Sequence, residues 1–97
     1  MAVNDKQKRF LKGQLHSLKP VVMIGNSGLT PAVLAEIENA LMHHELIKVR
    51  VSGQERADRK LMLEKIVEDT GADLIQVIGH IGGFYRPAEV PKVVLPK

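Results

Sequence analysis

The segment from Pro20 to Pro31 constrains this chain more than any other. Val21-Val22-Met23-Ile24 is a continuous apolar run bounded by Pro20 and Gly25, the pattern of a buried strand. It passes into Gly25-Asn26-Ser27-Gly28 and then Leu29-Thr30-Pro31. Threonine is a preferred N-cap and proline suits the first helical position, so a helix starts at 31. Leu29 and Leu34 occupy the staple positions around that cap. A buried strand that turns through a short glycine loop straight into a helix calls for an α/β sheet architecture.

The flanking segments fit the same plan. Asn4 can cap a helix over about 5–17, with Asp5 in its first turn. Phe10, Leu11, Leu15 and Leu18 fall on one side of it, and Lys8, Arg9 and Lys12 on the other, with Lys6 at the border. The second helix, 31–44, offers Val33, Leu34, Ile37, Ala40 and Leu41 to a core. In 46–51, Ile47, Val49 and Val51 alternate with Lys48 and Arg50, which reads as a half-exposed strand with a basic outer row. Ser52-Gly53 breaks that strand. A third helix over 55–70 turns Leu61, Met62 and Ile66 inward, with Leu63 or Val67 as further candidates, and stops at Gly71. Strands at 74–78 and 81–86 form a hairpin through Gly79-His80, the second weakened by Gly82 and Gly83. An extended tail follows from Pro87. The order is αβαβαββ: a single compact α/β domain with three helices and a mixed four-stranded sheet.

With 97 residues, the chain has the length of one domain. It has no cysteine, which removes disulfides and thiol chemistry. No signal-peptide pattern and no membrane-length apolar run is visible, so the chain reads as cytoplasmic; a monomer is expected. His16, His43, His44 and His80 show no metal-ligand spacing, and no nucleophile–base arrangement stands out. The expectation is therefore no enzyme, no metal and no cofactor.

Charge is unevenly spread. The net is +3 with a sequence pI of about 9.4. Lys6, Lys8, Arg9, Lys12 and Lys19 oppose only Asp5 in residues 1–20, whereas 31–45 carry only Glu36, Glu38 and Glu45. One positive and one negative face are expected, the first suited to a nucleic acid. A helix start behind a glycine loop is also an anion site by its free N–H groups, and GxxG loops clamp nucleic-acid backbones. Two plainer readings stay open: a solvated basic helix face, and glycines that merely make a turn. The third glycine of a dinucleotide fingerprint and the lysine of a P-loop are missing. Gly79-His80-Ile81-Gly82 repeats the GxxG string but lies in the hairpin.

Taken together, Leu18-Lys19-Pro20-Val21-Val22, Ile24-Gly25-x-x-Gly28-Leu29-Thr30, Glu45-Leu46-Ile47-Lys48-Val49 and Tyr85-Arg86-Pro87 resemble the CRM domain family (chloroplast RNA splicing and ribosome maturation), in particular its stand-alone bacterial YhbY-type members. The resemblance implies a fold similar to the C-terminal domain of translation initiation factor three. It implies RNA binding, with precursor large ribosomal subunits as the setting and large-subunit rRNA, with ribosomal proteins nearby, as partner. It places the RNA contacts at Gly25, Asn26, Ser27 and Gly28, at Lys6, Lys8, Arg9, Lys12 and Lys19, and at Lys48 and Arg86. Family loops often carry a basic residue between the glycines, where this chain has Asn26 and Ser27. An alternative is a protein-interaction module whose acidic second helix meets a basic ribosomal protein. Another is a small-anion or nucleotide binder built on the loop alone.

Overall fold

The computed structural model describes residues 3–25, 27–52 and 55–96. Helix α1 (Asp5–Leu15) opens on a reciprocal cap. Gln7 N donates to Asn4 Oδ1 at 2.8 Å and Asn4 N to Gln7 Oε1 at 3.1 Å, so two donors at the helix start are satisfied together. Strand β1 (Pro20–Ile24), helix α2 (Pro31–His44), strand β2 (Leu46–Val51), helix α3 (Arg56–Thr70), strand β3 (Asp73–Ile78) and strand β4 (Ile81–Tyr85) follow. Thr30 Oγ1 accepts from Val33 N, with Pro31 in the first turn. Gly71 ends α3 in the left-handed region at φ 73°.

The sheet order is β1-β2-β4-β3. β1 and β2 are parallel neighbours joined by α2, while β4 runs antiparallel to both β2 and β3. The connection through α3 therefore skips a place, because β4 folds back into the gap.

Two cores result, one on each face. Under α2 and α3 lie Val22, Ile24, Ile37, Leu41, Ile47, Val49, Leu63, Ile66 and Phe84. Under α1 lie Leu11, Leu15, Leu46, Ile75 and Tyr85, flanked by Phe10, Leu18 and Val93. Period-2 alternation along β2 sends Ile47, Val49 and Val51 to the first core, and Leu46, Lys48 and Arg50 to the α1 side.

Three expectations need correction. β4 is no weak strand: it pairs along its whole length with both neighbours. Its glycines are where helices come closest. A Cβ on Gly83 would lie 2.4 Å from Leu15 Cδ1, and one on Gly82 would lie 2.8 Å from Leu63 Cδ2. Leu61, expected inside, is exposed, and Leu63 takes the inward position. Glu45, counted with the acidic helix, is fully buried. Among the described residues no helix is long and apolar enough to cross a membrane.

Candidate nucleic-acid interface

The sheet has a closed end and an open end. The closed end is where β2 and β3 begin and β4 finishes, and Glu45 organises it. That residue sits between α2 and β2 at φ 65°, a conformation an L-residue adopts only at a cost. Its carboxylate accepts from Ala88 N at 2.8 Å, Lys92 N at 2.6 Å and Val93 N at 2.8 Å, pinning the tail onto the domain. Burial alone would push this carboxyl's pKa up. The three N–H donors and the nearby Lys92 charge outweigh that, and the net displacement is downward. Tyr85 is displaced upward by burial and by the charges of Glu45 and Asp73.

Arg86 belongs to this end too. Its Nη1 donates to Glu38 Oε2 at 2.8 Å and to Thr70 O at 2.9 Å, tying β4 to α2 and to the end of α3. The guanidinium expected on the RNA side is thus occupied in fastening the domain. With Glu38 paired and Glu45 buried, Glu36 alone remains of the acidic set in 31–45. The expected negative face is reduced by one buried and one paired carboxylate, which leaves Glu36 as its unpaired charge among the described residues.

At the open end lie the C-terminal ends of β1 and β2, the β3–β4 hairpin and the start of α3. The backbone here is fastened: Ser52 N donates to Ile24 O at 3.0 Å, Val51 N to His80 O at 2.8 Å, and His80 Nδ1 lies 2.9 Å from Val51 O. The loop at 25–28 is a turn closed by Gly28 N donating to Gly25 O at 3.0 Å. Thr30 N then donates to Gly28 O at 3.0 Å. Several donors that the helix start was expected to offer an anion are consequently used within the loop and its cap. Gly28 is needed for its positive φ of 73°, while a Cβ on Gly25 would meet nothing within 4 Å. The turn accounts for Gly28, and the space over Gly25 is open. Ser27 is exposed, and Asn26 lies outside the described residues, as does Gly53 of the strand break.

The remaining expected cations sit on the α1 side of the sheet. Lys6 and Arg9 are exposed and Lys8 and Lys12 half-buried on α1, and Lys19 is exposed just before β1. None of these five makes an ion pair among the described residues. Lys48 is half-buried and donates to Leu18 O at 2.9 Å, so it also tethers the link from α1 to β1. Lys6 lies at the closed end and Lys12 in the last turn of α1, nearer mid-sheet. Along α1 at ~1.5 Å per residue the charges from 6 to 12 form a stripe of about 9 Å, not a cluster on the loop.

The sequence reading placed Arg50 on an outer row without naming it as an RNA contact, and passed over Arg56 and Lys60. Arg50 is exposed on the outer row of β2. Arg56 and Lys60 line a groove of about 920 Å³ between α3 and the edge strand β3, floored by Leu63, Leu74 and Val77. The net charge of 55–73 hides these residues, since Glu55, Asp58 and the carboxylates further along α3 cancel them in the sum. Met62 Cε comes within 3.8 Å of where a Gly28 Cβ would stand, so the first half of α3 and the loop share one end.

This arrangement, a small α/β domain with unpaired cations over one face of its sheet and a glycine turn at one end, defines a class of compact modules suited to a polyanion. Comparison with known proteins gives the family. Residues 3–86 match the CRS1/YhbY (CRM) domain, and the chain belongs to that family. It is 56% identical over 95 residues to an RNA-binding protein of Haemophilus influenzae, covering 98% of this chain and 96% of the relative. It is 43% identical over 91 residues to a protein of Pseudomonas aeruginosa named as a probable RNA-binding protein, covering 94% and 88%. The solution structure of a hypothetical Staphylococcus aureus protein, described as an RNA-binding candidate, superposes with a TM-score of 0.83 at 34% identity, covering 98% of this chain and all of that one.

Proposed function

We propose that this protein binds structured RNA without acting on it chemically, and that it accompanies precursor large ribosomal subunits during assembly. One observation carries the reading. Lys6, Lys8, Arg9, Lys12, Lys19 and Arg50 have no ion-pair partner among the described residues, whereas Glu38 is paired with Arg86 and Glu45 is buried. Charge left unpaired on one side of a sheet is available to phosphates. The names of the relatives point the same way.

Docking proceeds by backbone contact. The α1 stripe and Lys19 neutralise rRNA phosphates, and the loop at 25–28 fixes register by letting a backbone approach over Gly25. With three aromatics in the chain, two of them buried as Phe84 and Tyr85, no aromatic stacking platform forms. Shape and phosphate geometry dominate the affinity.

The test is salt dependence. Each single-strand phosphate contact steepens the fall of log affinity against log salt by roughly 0.7, so four or five contacts give a slope near −3. Replacing Lys8, Arg9 and Lys12 with Gln should flatten that slope and weaken binding broadly, with the fold intact. A salt-independent affinity would remove the phosphate-docking mechanism. Co-sedimentation with precursor large subunits, compared with mature ones, tests the assembly setting.

A further inference from the structure

Helix α1 covers only part of its face of the sheet. Leu11 and Leu15 close over Leu46, Ile75 and Tyr85, and the chain then turns away toward β1. Beyond Leu15 the strands present an uncovered row. Met23 pairs with Arg50, Arg50 with Ile81, and Ile81 with Ile78, so one side chain from each of the four strands stands on the same face. Met23 is 68% and Ile78 63% exposed, Arg50 is exposed and Ile81 half-buried. Between this row and Leu15 lies a crevice of about 110 Å³, reached also by Lys48 and Gln76.

None of the described residues outside the sheet covers this row. Large apolar side chains so exposed contribute little to the core, and with Met23 on one side of Arg50 and Ile81 and Ile78 on the other they form a surface of mixed character. Arg50 makes no hydrogen bond or ion pair among the described residues, and no carboxylate belongs to the row. Met23 lies two residues before Gly25, which makes the row continuous with the loop. A ligand whose phosphates reach the loop would lay its next groups across these strands.

We propose that this row is a platform for unpaired nucleobases of the bound RNA. It deepens the RNA-binding reading and rests on it. The chemistry matches a base better than it matches a paired stem. A thioether packs well against aromatic rings, a guanidinium stacks on base planes or pairs with phosphate, and Ile78 and Ile81 supply apolar contact to ring faces. Four strands at ~4.8 Å spacing give a width of about 14 Å, comparable with the sheets on which RRM domains receive two or three bases. Here thioether, aliphatic and guanidinium groups take the place of aromatic rings. Recognition is then divided, with phosphates read by the loop and the α1 stripe and splayed bases received by the sheet.

The experiment compares an RNA stem carrying an unpaired loop with the same stem closed as a blunt duplex. It measures both against the wild type, the double variant Met23→Ser/Ile78→Ser and, separately, Arg50→Gln. The double variant should lose about tenfold in affinity for the looped RNA, which corresponds to roughly 1.4 kcal/mol, and should bind the duplex as the wild type does. Arg50→Gln should weaken the looped RNA more than the duplex. Equal losses on both probes, or none on either, overturn the platform while leaving phosphate docking intact. Wild-type protein that binds neither probe sinks the RNA reading and the platform with it. Should the wild type sediment as a dimer without RNA and the double variant as a monomer, the row is a contact between copies and the proposal is wrong.

Discussion

The closed and open ends of the sheet are built from similar residues and put them to opposite use. At the closed end Glu45, Arg86, Asp73 and Thr70 all bond to the protein itself. Glu45 holds three backbone N–H groups, Arg86 bridges Glu38 and Thr70 O, and Asp73 Oδ2 accepts from Val3 N at 3.2 Å. At the open end Arg50 and Ser27 have no such partner among the described residues, and Met23 and Ile78 stay in solvent. The lesson concerns cost. A buried charge must be compensated by fixed partners, so the bonded charges at the closed end, Glu45 and Arg86, are structural and their loss should destabilise the fold. Charges at the open end stay hydrated until a ligand replaces the water, so their loss should leave the fold alone.

The largest expected effect is at Glu45. Glu45→Ala leaves three N–H donors without an acceptor and should cost about 3 kcal/mol. For a domain of this length that lowers the melting temperature on the order of 15 °C. Glu45→Gly, which relieves the positive φ but also removes the clamp, should recover about 1 kcal/mol of that loss. Denaturant titration of the two variants separates backbone strain from carboxylate bonding. A loss below 1 kcal/mol in both would erase the distinction between the ends.

Protonation probes the same residue without mutation. Because the folded state holds Glu45 below its ordinary value, its contribution is complete above the unfolded glutamate pKa of roughly 4.3. It is lost as pH falls through the depressed folded value. Tyr85 works from the other side. Its raised folded value means that its contribution is present below about pH 10 and is lost as pH rises through the folded value. Stability should therefore fall at both extremes, and Glu45→Gln should flatten the acid limb and, by removing one of the charges that raise Tyr85, make the alkaline limb shallower too. An unchanged acid limb in that variant would show that other carboxylates govern acid unfolding.

Next in size is the pair of close-approach glycines, where sequence reading and structure part most clearly. The bounds of α2 and β2 were legible at 31–44 and 46–51 because Thr30-Pro31 and the alternation of Ile47, Lys48, Val49 and Arg50 are local signals. Gly82 and Gly83 were legible only as a lack of side chains, which lowers strand propensity. Their use is tertiary: Leu15 from α1 and Leu63 from α3 reach into the vacated space from opposite faces. The same packing sets the phase of α3. Leu61-Met62-Leu63 permits several inward faces, and the approach of Leu63 over Gly82 selects one. Nor could sequence order show that β4 lies between β2 and β3. Gly83→Ala should cost about 2 kcal/mol, since the whole Leu15 side chain must shift in a packed site. Gly25→Ala, with open space above it, should stay within about 0.5 kcal/mol. Equal effects in thermal melts would mean that β4 has room that its contacts deny.

The candidate site was less legible than the fold, for a related reason. Lysines and arginines announce charge but not whether the charge is already taken. Arg86 and Lys48 carry the family pattern and turn out to be bonded to Glu38, Thr70 O and Leu18 O. Arg50, which the alternation placed on the outer row, has no partner among the described residues. Arg86→Gln should accordingly cost about 1–2 kcal/mol in stability, given its part exposure, and should change RNA affinity little at temperatures where it remains folded. Arg50→Gln should do the reverse. If both variants lose RNA affinity equally with stability unchanged, the division between ends fails at its charged residues.

The smallest stability effect is expected at the loop, where it matters most for function. Ser27→Asp leaves Gly25 and Gly28 to make the turn and substitutes an exposed side chain, so unfolding should shift by no more than about 0.5 kcal/mol. RNA affinity should still fall several-fold, because a carboxylate would face the phosphate drawn to the open space over Gly25. The control is Asn39→Asp on the exposed side of α2, which changes net charge equally on the far face of the sheet. Its effect on RNA measures the long-range cost of one added negative charge. If Ser27→Asp weakens RNA binding no more than Asn39→Asp does, the loop is a turn and nothing further. The α1 stripe, Lys19 and Arg50 would then have to carry the docking between them, and the open end would owe its character to the sheet face alone.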